Sequence, residues 1–342
     1  EKVRDLYPEI AMLLTTCIVM VVGLSPSYRT RSMCSIISAL GLGIAGFLAV
    51  QFEPGAGGLL PNLMPYAKVV VAGVGLLLLL LAEGTVDRQE EHLIRQARVL
   101  FNPLRTNRAE FYAFFLFSLT GVMLCASADD LIWLFLALEL TSLPTYIMVT
   151  ISQTGRNAAR SQEAGVKYFF LGALGAATFL YGFALLYGGT GTTNLAEIRD
   201  FFANHTFGGI AQAGLLMALI GVGFKIAAVP MHLYTPDVYE GAAAPVSAFL
   251  AFTPKTAGFL ASLLLCSTVG WNESSLAGHA LPESVRLTLW VMAALTMTVG
   301  NVLAILQNSV KRILAYSSIA HSGYMLVGVI AGPGDGKTIS SN

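Results

Sequence analysis

The sequence has little charge. Asp, Glu, Lys and Arg supply 12% of its 342 residues, against about 25% in soluble globular chains. The deficit runs the whole length, which excludes a soluble domain with one anchor and points to a polytopic membrane protein. Acidic and basic residues balance at 20 each. With no basic patch interleaved with aromatics, no nucleic-acid partner is expected. The four cysteines, Cys17, Cys34, Cys125 and Cys266, show no CxxC spacing and no neighbouring His. They read as small buried hydrophobes, and no zinc, haem or iron–sulfur site is expected in this chain. A cleavable signal-peptide pattern is also missing. The first residue is Glu1, so the start is expected to be trimmed.

What the sequence has is apolar runs near the roughly 20 residues a bilayer helix needs. Ten are read, at 8–25, 32–50, 66–83, 109–127, 131–151, 164–187, 212–231, 244–268, 286–305 and 312–330. So many adjacent spans predict an all-α bundle, since barrel strands would alternate with period two. The loops after odd-numbered spans hold eleven of the Lys and Arg residues, including Arg29, Arg31, Arg108 and Arg312. The opposite loops hold six, among them Lys68 and Arg199. The bias predicts an outside N-terminus with the odd loops cytoplasmic. The longest loop, 84–108, is mixed in charge and reads as a solvated or interfacial segment.

Two motifs mislead. "GLGIAG", Gly41 to Gly46, fits a dinucleotide fingerprint but has no strand before it, so it reads as close helix packing through small residues. The sequons at Asn204 and Asn272 carry no weight in a bacterial chain.

Three charges fall deep inside spans, where an ionisable residue marks function by default. At about 1.5 Å per residue, Lys225 lies roughly 20 Å, Glu139 roughly 14 Å and Lys255 roughly 15 Å from the edge at which its span begins. Lys167, closer to an edge, suits snorkelling as well as function. Pro144, Pro230 and Pro254 sit near the three deep charges. Each removes a backbone donor, and broken helices in a bilayer mark wet cavities and ion sites. Burial favours a neutral lysine and a nearby carboxylate a charged one. A row of such groups bridged by water is a proton relay, which His232 and His321 either extend or border as structural histidines.

The stretch "GFKIAAVPMHLYTPDVYEGAAAPVSAFLAFTPKTAGF", 223–259, resembles the antiporter-like membrane subunits of respiratory complex I. "TPDVYEG" followed by "PVSAFLAFTPK" is most similar to the subunit N branch. "LALELTSLPTYIM", 136–148, and "KRILAYSSIAHSGYML", 311–326, are further family blocks. The resemblance implies a fourteen-helix fold with two inverted five-helix repeats, each with one broken helix. Three parts follow: 1–108 as an N-terminal three-helix segment plus cytoplasmic loop, 109–270 as the first repeat, and 271–342 as the start of a truncated second repeat. It also implies a proton relay through Glu139, Lys225, Lys255 and Lys167, coupled to quinone reduction elsewhere. NADH, FMN, iron–sulfur clusters and quinone are expected in partner subunits, and other membrane subunits of the complex as partners. The expected location is a bacterial plasma membrane, with an organelle inner membrane as second choice. A subunit of a multisubunit cation/proton antiporter, without redox coupling, stays open as the alternative.

Overall fold

A computed structural model describes residues 2–51, 60, 63–83, 96, 108–153, 155–205, 207–270, 272–274 and 278–332. Most of the 84–108 loop and the tail after 332 lie outside these residues.

A helix is found at each of the ten apolar runs. In chain order the first six are α1 (Tyr7–Gly23), α2 (Tyr28–Val50), α3 (Leu63–Ala82), α4 (Arg108–Ala126), α5 (Leu131–Ile151) and α6 (Ala158–Thr190). A short amphipathic helix follows, α7 (Leu195–Asn204), then α8 (Gly209–Val222) and the seven-residue α9 (Thr235–Gly241). The last three are α10 (Ala244–Val269), α11 (Glu283–Ile305) and α12 (Val310–Ala331). Eight of them are long and apolar enough to cross a membrane, with α1 and α8 shorter. The all-α polytopic expectation holds for the spans. A two-stranded hairpin, β1 (Asn272–Ser274) and β2 (Gly278–Ala280), departs from it in the loop after α10.

The outer faces carry large apolar side chains such as Leu14, Phe47, Leu77, Phe170 and Trp290, as a lipid-facing surface requires. Helices α4 and α10 are the most enclosed of the long spans. Helix α10 is the hub: it packs against α3, α4, α5, α7, α8, α9 and α12, with Phe115 of α4 meeting Phe249 of α10 at a ring separation of 4.5 Å. Helices α6 and α8 pair most closely, because Gly182 and Gly214 leave no side chain between their backbones. The "GLGIAG" stretch behaves as expected on α2: Gly41 faces Thr15 of α1 and Gly46 faces Ala72 of α3.

Four expectations change. Pro144 and Pro254 lie inside continuous helices, so of the three prolines only Pro230 accompanies a break. Cys17 is exposed, whereas the other three cysteines are buried. Arg31 and Arg108, assigned to cytoplasmic loops, are buried at helix starts. Arg31 donates to the carbonyls of Ser25 and Pro26. Lys68, assigned to an outer loop, is buried in α3 and lies 2.7 Å from the equally buried Glu9 of α1. It also donates to the Asp5 carbonyl at 2.6 Å, and the Ser127 hydroxyl, just past α4, donates to Glu9 at 3.1 Å. This pair ties α1 to α3, and Ser127 joins it to the end of α4.

Removing one partner of such a pair leaves a buried charge uncompensated. Lys68→Met is expected to lower stability by about 3–5 kcal/mol, and the double change Glu9→Leu with Lys68→Met to recover most of it. Thermal unfolding in detergent checks both.

Candidate functional site

Helix α8 has 14 residues, about 21 Å at 1.5 Å per residue, too short for a hydrocarbon core of about 30 Å. The chain completes the crossing without a regular helix. After Val222 the hydrogen bonds tighten: Phe224 N–H donates to Gly221 O and Lys225 N–H to Val222 O, the 3₁₀ pattern common at helix ends. Ala228 N–H then reaches back to Gly223 O, and Ala227 N–H to Phe224 O. With Ala227 at φ +56°, this is the Schellman arrangement that terminates helices. Glycine normally takes that left-handed position; an alanine there costs about 1–2 kcal/mol.

Lys225 therefore sits in the last turn of a half-helix, at the negative end of its dipole. Its side chain is buried, with Nζ donating to Glu139 Oε1 at 2.9 Å and to Ser142 Oγ at 2.6 Å. The ring of Phe179 lies 5.4 Å from the ammonium, within cation–π range. Glu139 and Ser142 are three apart on α5 and share a face. The broken backbone is stitched by side chains. Tyr234 OH donates to Phe224 O at 2.9 Å, and Thr296 Oγ1 of α11 accepts from Val229 N–H at 2.9 Å. The Val229–Pro230 bond within the break is cis.

Two helices close over the break because glycine allows it. A Cβ on Gly175 of α6 would come within 2.7 Å of Phe224 Cβ, and one on Gly258 of α10 within 2.6 Å of Ile226 and 2.9 Å of Lys225 Cβ. Gly258 is three residues after Lys255, so Lys225 packs one helical turn from Lys255. Lys255 is buried and has a different shell. Its ammonium donates to Ser318 Oγ at 2.7 Å, to Ser322 Oγ at 2.8 Å and to the Ser318 carbonyl, all on α12. Hydroxyls and a carbonyl solvate it where a carboxylate solvates Lys225.

The other expected site residues separate. His232 lies in the break, buried, with Nδ1 lacking a hydrogen-bond partner. His321 faces outward on α12, its ring centroid 5.8 Å from that of Tyr324. Lys167 is 45% exposed and pairs with Glu163 at 2.8 Å and Asp237 at 3.0 Å. It belongs to a cleft of about 290 Å³ lined by Arg160, Glu163, Lys167, Asp237 and Glu240. Arg312 of α12 enters the same network, 2.8 Å from Asp237 and 3.1 Å from Glu240. Partial burial pushes the Asp237 carboxyl up, but the hydrogen bonds from Arg312 and Lys167 outweigh it and hold the group below the usual carboxylate range.

The sequence reading did not single out Ser142, Ser318, Ser322, Thr296, Asp237 or Arg312. Helical spacing signals some of them: Ser142 follows Glu139 by three, and Ser318 and Ser322 are four apart. Thr296, which meets the break from another helix, carries no such signal. Among the described residues no cluster of three or more His, Cys, Asp or Glu is placed to hold a metal ion.

The chain is similar to known proteins in sequence and fold. Residues 128–339 match the family described as NADH:quinone oxidoreductase/Mrp antiporter, transmembrane. The NADH-quinone oxidoreductase subunit N of Trichlorobacter lovleyi is 36% identical over 97% of this chain and 65% of its own length. The chain thus spans just under two thirds of that relative. A chain of respiratory complex I from Thermus thermophilus superposes with a TM-score of 0.69 at 30% identity, over 94% of this chain and 64% of that one. A chain of the membrane-bound sulfane sulfur reductase, an archaeal respiratory membrane complex, gives 0.72 at 22% identity, over 96% and 65%. At that identity the likeness is one of fold.

The contact between α10 and the break generates a test. Gly258→Ala places a methyl against Ile226 and Lys225, an overpacking expected to cost about 1–3 kcal/mol. Thermal unfolding of the variant in detergent measures it.

Proposed function

The chain belongs to the NADH:quinone oxidoreductase/Mrp antiporter transmembrane family, and from that premise we propose that it is a proton-translocating membrane subunit of an NADH:quinone oxidoreductase, of the subunit N type. One observation carries the reading: the ion pair between buried Lys225 and half-buried Glu139, 2.9 Å apart, at the end of a half-helix. An ordinary structural pair needs no broken helix. A break exposes backbone dipoles inside the bilayer, and in transporters such ends line ion sites.

The chemistry follows from the two lysine shells. Lys225 holds its proton while Glu139 compensates its charge. When Glu139 moves away or is neutralised, an ammonium enclosed by the rings of Phe179 and Phe224 becomes costly, and its proton leaves. Lys255, one turn along α10 from the contact with Lys225, is the acceptor. Ser142 on one side and Ser318 and Ser322 on the other supply hydroxyls that both donate and accept, as a proton path requires. Among the described residues Lys255 has no carboxylate as a hydrogen-bond partner, so in this reading its charge is transient and it passes the proton onward. His232, in the break with a free ring nitrogen, stands next to this path; nothing brings His321 to it.

Redox chemistry falls to partner subunits, where NADH, FMN, iron–sulfur clusters and quinone are expected. The other membrane subunits of the complex are the expected neighbours. The Lys/Arg bias supports an outside N-terminus in a bacterial plasma membrane, which places the Asp237 cleft on the cytoplasmic side. The proposed division is an N-terminal three-helix segment, a first repeat over 109–270 and a second repeat from 271; the packing of α1, α2 and α3 on one another supports the first of these parts.

In sealed membrane vesicles carrying the assembled complex, Lys225→Met and Glu139→Gln are each expected to lower NADH-driven proton uptake by about 10²-fold or more, as loss of a positioned acid–base group does. Uptake at the unaltered level in both variants overturns the reading. Sodium/proton exchange without flavin or quinone reductase activity in the purified assembly supports the antiporter alternative instead.

A further inference from the structure

The cleft beside α9 is built as a grip. Helix α9 is the second half of the broken span and begins ten residues after Lys225. From one side Lys167 of α6 holds Asp237 at 3.0 Å, itself anchored by Glu163 at 2.8 Å. From the other side Arg312 of α12 holds Asp237 at 2.8 Å and Glu240 at 3.1 Å. The C-terminal carbonyls of α9 are also taken: Lys311 donates to Ala242 O at 2.7 Å, and Gln153 to Gly241 O at 2.7 Å. Arg160 lines the same cleft. A helix of seven residues has too few internal hydrogen bonds to hold itself, so these side chains set its position.

That position matters to the relay. Tyr234, immediately before α9, caps the end of the first half-helix through Phe224 O. Tyr239 and Thr235 of α9 carry buried hydroxyls with no hydrogen-bond partner. Arg312 and the serines that solvate Lys255 share one helix, Ser318 lying six residues beyond Arg312. Movement of α9 against α12 therefore shifts the cap on Lys225's half-helix relative to the shell of Lys255.

Resting on the proton-translocating reading, we propose that Lys167 and Arg312 are positioning residues: by gripping Asp237 from opposite sides they seat α9 and align Lys225 with Lys255, and neither carries the proton. Lys167 is exposed and doubly paired, unlike the two buried lysines. A positioning lysine tolerates arginine, which grips a carboxylate at least as well. A proton carrier does not, because arginine keeps its proton.

The test uses the assembled complex in sealed vesicles, reading protons moved per electron, with complex yield checked on native gels. Lys167→Gln and Arg312→Gln are each expected to lower the ratio about tenfold, since small misplacements at a reacting centre cost up to about 10²-fold. Lys167→Arg and Arg312→Lys are expected to retain most of it. The proposal is overturned if Lys167→Arg falls as far as Lys167→Gln, or if the Gln variants match the unaltered complex. Should Arg312→Gln fail to assemble, the two Lys167 variants decide. Lys225→Met separates the two levels: if it pumps normally the proposed function fails, and if it stops while all four grip variants behave alike, only this inference fails.

Discussion

The structure turns on one constraint: the amine of a lysine buried inside the bundle needs polar partners in place of bulk water. Lys225 meets it in three ways at once. A half-helix ends beside it and lends the negative end of its dipole, Glu139 supplies a carboxylate at 2.9 Å, and the Phe179 ring faces the ammonium. None of these alone offsets the loss of hydration. The short α8, the Schellman termination at Ala227 and the capping hydroxyl of Tyr234 all follow from ending a helix at that depth. So do Gly175 and Gly258, which let α6 and α10 close over the irregular backbone so that its polar groups meet protein and not lipid.

Lys255 answers the same constraint differently. Its partners are two serine hydroxyls and a carbonyl on α12. A carboxylate partner makes a charged state durable, whereas hydroxyls make it passable. The two buried lysines thus differ in their partners, one held by a carboxylate and a hydroxyl, the other by hydroxyls and a carbonyl. Helix α12 then connects three features: it solvates Lys255, it grips α9 through Arg312, and it caps the C-terminal end of α9 through Lys311. The Lys68–Glu9 pair lies on α1 and α3, outside the family match, and ties those two helices together.

Much of the fold was legible because the bilayer imposes a length and a hydropathy on every span. The charges at 139, 225 and 255 were legible for the same reason, since a charge in hydrocarbon is conspicuous. Prolines were a weaker guide. Pro144 and Pro254 are absorbed in continuous helices. Charges near span ends misled most. Lys68, Arg31 and Arg108 look like loop residues in sequence and are buried in the structure, since one helical turn decides whether an end residue faces water or the bundle.

The sequence by itself determined that this is a bundle of apolar helices with three ionisable residues too deep to snorkel, because burial depth along a helix is a one-dimensional quantity. Only the tertiary structure decided which of them are partners. It paired Lys225 with Glu139 across 86 positions, gave Lys255 to the serines of α12, and moved Lys167 out of their company to the Asp237 cleft. Partnership depends on which helix faces which and where the regular backbone stops, and those are fixed by packing between segments far apart in the chain.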